Sequence, residues 1–358
     1  MMAYRSMLLF FALIIPLTPI QSLSTPFGEE HQIPEVVFSL LQSPAMERLK
    51  GIDQSGIMRY TADLPAYSRY EHSLGVYMLL RNYGASLQEC VAGLLHDASH
   101  TVFSHVGDFL FDTGDGAESY QDHIHAWHLK SQGVDIILAN FGLSVEDILP
   151  DNGSFQALEQ ELPDMCADRI EYNLHTALLF GVMSEMEIQE ILRDLHFENG
   201  LWFFEDPQIA RRFASLSLYF TNTLWAEAEN LLVYHWTAQA LRRAIELNEI
   251  TMEEIHFSVD EVALNKLLNS QDALIRQLMG QCYSRQQCYA VQTVSTEEWD
   301  LHLTGKFRGI DPLVRINGSF QRLTALDEGF AGIWNETKQH VAQGFYIKET
   351  VADGALNL

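Results

Sequence analysis

Basic side chains are scarce in this chain of 358 residues: 22 lysines and arginines stand against 48 aspartates and glutamates, a formal net charge of −26. A general nucleic-acid or anionic-membrane binder needs clustered cations to meet phosphates, so that class is excluded. A small anionic substrate remains open, but only through a local basic pocket or a metal ion. Cysteine is as sparse. Cys90, Cys166, Cys282 and Cys288 are too few for a disulfide scaffold, and no CxxC pair is present for a zinc–thiolate site. In an oxidising compartment CYSRQQC would close a small loop; free thiols are the other reading. Repeats and low-complexity tracts are absent. Past the N-terminus, no apolar run approaches the roughly 20 residues of a membrane helix.

The N-terminus itself reads MMAYRSMLLFFALIIPLTPIQSLSTPFGEE. Arg5 precedes an apolar run from Met7 to Ile20, and Ser22-Leu23-Ser24 offers small residues for cleavage. This is the layout of a signal peptide over residues 1–24, which implies a periplasmic or secreted protein with no integral membrane segment in the mature chain. An uncleaved anchor or a buried first helix is the competing reading, with a cytoplasmic location if there is no export. Three N-x-[ST] sequons, at Asn152, Asn317 and Asn335, matter only in a eukaryotic secretory route.

What is abundant is apolar surface and helix-start chemistry. Apolar residues make up 47% of the chain, enough for one large globular unit or two coupled lobes. Capping boxes recur at Ser86/Glu89, Ser144/Asp147, Thr251/Glu254, Ser258/Glu261 and Ser295/Glu298, and Ser43-Pro44 reads as an N-cap with proline at the first helical position. Leu87, Val91, Leu94 and Leu95 recur at helical spacing. FDTGDGAESY and LPDNGSF read as loops, HFENGLWFF as a hairpin about Asn199-Gly200, and CYAVQTVS as a later strand. The expected class is therefore mainly α with a few short strands. A soft boundary near residue 200 divides residues 25–200 from a helical C-terminal lobe over 201–358 with a small α/β segment.

Histidine is concentrated. Eight of the 14 lie between His72 and His175: His72, His96, His100, His105, His123, His125, His128 and His175. His96 and Asp97 are adjacent on an expected helix, with His100 four residues on over the same face. Imidazole suits transition metals and carboxylate suits harder ions, so the mixture permits Mn, Fe, Zn, Co or Ni. Asp168, in MCADRIEY, is the distant carboxylate that would complete such a set. A lone buried histidine is more often a hydrogen-bonded core residue; the whole set in apolar helices is much less expected by chance.

These segments carry a resemblance. IPEVVFSLLQSPAMERLKGIDQSG, SRYEHSLGVYML, AGLLHDASHTVFSH and MCADRIEYNLH, in that order, with KFRGIDPLV further on, resemble the HD-domain metal-dependent phosphohydrolases and most closely their deoxynucleoside triphosphate triphosphohydrolase branch. The resemblance implies a helical HD fold and one divalent transition-metal ion on His72, His96, Asp97 and Asp168, with Mg accompanying the substrate. It implies a small phosphorylated substrate, nucleotides included, and is compatible with a homo-oligomer. Arg48, Gln54 and Arg69 match substrate-facing positions, Tyr172 a sugar-packing one, and Lys306 and Arg308 further phosphate contacts. Asp97 and His100, with His123 or His125, are the expected catalytic residues. The chain also departs from the family. HDASHTVFSH stands where HDLGHxPFSH is usual, placing Ser99 for glycine and Val102 for proline. YQDHIHAWH lacks the His-Glu pair, leaving Asp122 as the only acid there, and His175-Thr176 replaces Arg-Asp. The alternative function is accordingly a non-catalytic HD module that binds metal and ligand.

Overall fold

The computed structural model describes residues 22–111, 119–149, 154–292 and 299–350. The expected leader over 1–24 lies outside these residues except for its last three, as do the centres of both glycine-rich loops, residues 293–295 of the later strand, Asn152 and the Ser295/Glu298 box. The first described strand, Leu23–Thr25, pairs antiparallel with Gly28–Glu30 and buries Leu23.

Helices dominate, as the composition predicts. The helix Arg69–Asn82 starts at Ser68, whose hydroxyl accepts the Glu71 amide while the Glu71 carboxylate accepts the Ser68 amide. It packs on Leu87–Leu95 and on Ala167–Leu179. Of the expected caps, Ser43, Ser86 and Thr251 hold helix starts. Ser258 does not: its hydroxyl turns back to the Glu254 carbonyl, and the next helix, Asp260–Asn269, has Val259 at its N-cap. No described helix is long and apolar enough to cross a membrane.

Two apolar cores form. One gathers Val37, Leu40, Val76, Leu94, Leu174 and Phe213; the other gathers Ile52, Phe103, Leu232, Trp236, Leu267 and Met279. The chain crosses from the first to the second between Ala98 and Val102, so Ser99 and His100 sit on the seam, with Asp97 just before it. All four cysteines are buried and unbridged, which resolves the thiol question toward free side chains.

The strands stay short. Leu195–Glu198 and Leu201–Phe204 make the expected hairpin, with Asn199 and Gly200 at φ 52° and 80°, the left-handed pair a tight turn demands. Leu313–Ile316 and Ser319–Arg322 extend this sheet through a second such turn at Asn317-Gly318. Tyr289–Gln292, Phe345–Glu349 and Leu301–Leu303 form a separate three-stranded sheet with Phe345–Glu349 in the middle.

Candidate metal centre

His72, one turn into its capped helix, is 1% exposed. Its Nδ1 faces the Glu171 carboxylate, which is fully buried and also accepts the Tyr67 hydroxyl and His175 Nδ1, the latter at 2.8 Å. Glu171 is held ionised: burial opposes the charge, and the His72 and His175 imidazoles outweigh it. An ionised carboxylate only accepts, so Nδ1 of His72 carries a proton and, in the neutral ring that binds a metal, Nε2 has the lone pair. His96 reaches the same state by a different partner, since its Nδ1 lies 2.7 Å from the Gly93 carbonyl. Gly75 is required for this arrangement, because any Cβ there would collide with the Glu171 carboxylate packed against the helix.

The two imidazoles therefore turn lone pairs on one another, with 3.1 Å between their Nε2 atoms. Asp168 Oδ1 lies 3.0 Å from His72 Nε2 and 3.6 Å from His96 Nε2. Ligand atoms of His72, His96 and Asp168 lie within 4.8 Å of one another, and Asp97 flanks them, with Oδ1 3.5 Å from His96 Nε2 and Oδ2 3.7 Å from His72 Nε2. Acceptors converging this closely repel unless a cation stands among them. In the metal-free protein a proton answers the same demand: burial opposes protonation of His72, but Glu171, Asp168 and Asp97 override it and raise the group to about 10, so an ion binding at Nε2 takes the place of that proton. Two imidazole nitrogens and carboxylate oxygens on one point fit a divalent transition ion.

One expectation is corrected. His100 is not a helical turn beyond His96 on a single helix, because the helix Leu87–Leu95 stops and His96 is its C-cap. The reason lies elsewhere in the chain. Arg48 donates to the carbonyls of Ala98 at 3.4 Å and His100 at 2.6 Å, and to that of Ser258 at 2.9 Å. It satisfies backbone acceptors of the turn that has left the helix. Arg48 is thus a buried brace for this turn, with all three guanidinium nitrogens on backbone carbonyls.

Arg69 is placed differently. Its Nη1 donates to Asp97 Oδ2 at 2.5 Å and its Nε to Ser104 Oγ at 2.8 Å, while Nη2 is buried with no partner among the described residues. Ser104 passes its own proton to the Asp53 carbonyl, 2.6 Å away. His100 Nε2 lies 3.2 Å from Asp97 Oδ1, and burial beside Arg69 lowers His100 to about 3, so it is neutral and donates to Asp97. His105 Nδ1 is 3.4 Å from Asp108, and the His100 and His105 rings stack edge to face at 5.2 Å.

The remaining expected residues separate by position. His123 is exposed, whereas His125 on the same helix, Tyr120–Ser131, is buried with Nδ1 2.7 Å from Ser99 Oγ. Gln54 is half-buried, and its backbone amide donates to the Tyr67 carbonyl. Tyr172, one turn past Asp168, packs edge-on to Trp225 at 5.1 Å, and burial pushes its hydroxyl up to about 12. Arg308 is half-buried and Lys306 exposed, and neither makes an ion pair among the described residues. Arg308 is near enough to act electrostatically on His105 and Tyr172, and Lys306 on Asp108. Sequence reasoning missed Glu171, Tyr67, Ser99 and Ser104. Glu171 had a signal: it falls three residues after Asp168 and four before His175, on one helix face.

Comparison with known proteins agrees with this geometry. Residues 69–170 match the HD domain. The uncharacterized protein YdhJ of Bacillus subtilis is 30% identical over 320 residues, 89% of this chain and 96% of the relative. The metal-dependent phosphohydrolase cns2 of Cordyceps militaris is 30% identical over 311 residues, 82% of this chain and 85% of that one. A deoxynucleoside triphosphate triphosphohydrolase SAMHD1 homolog from Dictyostelium discoideum matches more distantly, 23% identical over 124 residues, 29% of this chain and 24% of the relative. In fold, a hypothetical protein from Aquifex aeolicus superposes with a TM-score of 0.64 at 16% identity, over 89% of this chain and 98% of its own. An α-helical frame with histidines and aspartates converging on one point defines a helical protein built around a metal-binding site. The chain belongs to the HD-domain superfamily of metal-dependent phosphohydrolases.

Proposed function

We propose that the protein hydrolyses a phosphoester or phosphoanhydride of a small anionic substrate, with nucleotides the first class to test. The observation that carries this reading is Arg69: one guanidinium nitrogen holds Asp97 while another, buried beside it, has no acceptor among the described residues. A phosphate oxygen is the acceptor this planar fork suits. Arg308 and Lys306 supply free positive charge toward His105 and Asp108, in a protein whose overall field repels anions.

His72, His96, Asp97 and Asp168 are the residues that would hold the ion, which when bound supplies an acidified water and offsets charge on phosphate. Glu171 and the Gly93 carbonyl keep both imidazole donors in the metal-binding tautomer. His100 and Arg69 fix the Asp97 carboxylate from two sides. We assign proton transfer to His125, because burial brings it to the face that His123 leaves. Tyr172 and Trp225 offer an aromatic wall beside Asp168 for a sugar or ring. The distant likeness to a Dictyostelium triphosphohydrolase supports trying nucleoside triphosphates, while the wider likeness to cns2 supports phosphohydrolysis in general.

The test is a substrate panel on chelator-stripped protein reloaded with Mn, Fe, Co, Ni or Zn, with and without Mg. Metal-dependent release of phosphate, pyrophosphate or triphosphate is expected. Tight binding of phosphorylated ligands without turnover across the panel would replace this reading by the non-catalytic module. The leader suggests that the reaction occurs outside the cytoplasm; a native N-terminus at Met1 would refute export by cleavage.

A further inference from the structure

Ser99 is fully buried, and three groups crowd its hydroxyl. Its Oγ lies 2.9 Å from Gln121 Oε1, 3.2 Å from the Gln121 carbonyl and 2.7 Å from His125 Nδ1. The orientation of the Gln121 amide is not arbitrary, because its Nε2 donates to Asp122 Oδ1 at 2.7 Å. Both Gln121 oxygens beside Ser99 are therefore pure acceptors. Ser99 has a single proton. Were it given to His125, both Gln121 oxygens would face a bare oxygen lone pair in a buried place. With the proton given to Gln121, Ser99 Oγ accepts from His125 Nδ1–H, and every contact has one donor and one acceptor.

We propose that Ser99 is a positioning residue that fixes His125 in its Nδ1–H tautomer, so that Nε2 of His125 is bare to take the proton of the attacking water. The inference rests on the hydrolytic reading above and assigns a proton state within it. The chain of donors runs from His125 to Ser99, to Gln121, to Asp122, which links the only acid of this motif to the imidazole through two side chains. His125 Nε2 has no protein partner among the described residues. Burial, with His96 nearby, lowers the imidazole to about 4, consistent with a neutral resting ring that feels His96 and Asp97. A proton taken from the attacking water at Nε2 gives an imidazolium whose Nδ1–H stays on Ser99. Transfer of that same proton from Nε2 to the leaving oxygen restores the resting tautomer. The relay itself moves no proton; it holds the ring's orientation through the cycle. A glycine at position 99 could not do this, because it has no hydroxyl to accept from His125.

The experiment uses zinc-loaded full-length protein labelled with 15N-histidine, with His125→Gln to assign the resonances. His125 of the wild type should be protonated at Nδ1 and bare at Nε2. In Ser99→Ala the Nε2–H tautomer should appear, and Ser99→Thr should retain the wild-type state. With p-nitrophenyl phosphate, Ser99→Ala should lower kcat roughly tenfold with KM and metal content unchanged, and should cost nothing further in a His125→Gln background. A wild-type His125 carrying its proton on Nε2 overturns the proposal. So does an equal loss from Ser99→Ala with and without His125, which marks a merely structural serine. If the alanine variant does not fold, the wild-type spectrum and Ser99→Thr still decide. Absence of any wild-type turnover counts against hydrolysis alone, since the tautomer is read without it.

Discussion

Replacing Glu171 by glutamine tests the metal centre without touching a ligand. The side chains have nearly the same shape, so packing against Gly75 is retained, whereas alanine would leave a cavity there. What changes is charge. Glu171 is fully buried, and its carboxylate accepts from His72, His175 and Tyr67. A hydrogen bond to a charged group contributes about 1.5–3 kcal/mol against about 0.5–1.5 for a neutral one, so the amide weakens the hold on His72 Nδ1–H by roughly 1 kcal/mol or more. The lost carboxylate also makes His72 Nε2 a poorer donor to a cation. Together these place the loss in metal affinity at about 10–100-fold, or roughly 1.4–2.7 kcal/mol. Competition against a chromophoric chelator measures it, with circular dichroism to confirm the fold. An affinity unchanged within experimental error, in a folded variant, would refute the argument that Glu171 sets the donor state of His72.

Other outcomes follow from the same contacts. His96→Ala with Asp97→Ala should abolish both metal binding and turnover, checked by elemental analysis and the phosphate-release assay. Arg69→Ala should raise KM by the roughly 1.5–3 kcal/mol of a charged hydrogen bond, read from steady-state kinetics, and an unchanged KM would withdraw its phosphate role. Arg48→Ala should instead lower unfolding stability by roughly 1–3 kcal/mol, seen in urea titration, because three carbonyls lose their donor. Asp260 supplies a pH test: burial raises its folded-state pKa to about 7, so the folded protein holds a proton that the unfolded chain has lost. Its contribution to stability should fall as pH rises from about 4 to about 7 and then level off, and Asp260→Asn should remove that slope from urea unfolding.

Local chemistry was legible in the sequence and long-range partnership was not. Helix starts at Ser43, Ser86 and Thr251, and the Asn199-Gly200 turn, depend on neighbours a few residues away. The ordered blocks carrying His72, His96-Asp97 and Asp168 were legible for a similar reason: each residue lies on a helix or at its very end. The stop at Leu95 was not, because Arg48 imposes it from a helix far earlier in the chain. Ser258 misled because a hydroxyl three residues before a glutamate can also bond backward, as it does to Glu254. Asp260 then reaches across to the amides of Asp53 and Phe103, contacts that no local pattern announces. That His125 and not His123 is the buried one was not legible either, because two residues of spacing on one helix leave it undecided.

The most direct test of the account is an anomalous difference map from crystals of the protein reconstituted with manganese or zinc, collected at the absorption edge of that metal. The account predicts one dominant peak bounded by His72 Nε2, His96 Nε2, Asp97 and Asp168, lost in His72→Ala crystals. A dominant peak elsewhere, such as beside Glu159 and Cys166, or no peak with a fully folded protein, would contradict it.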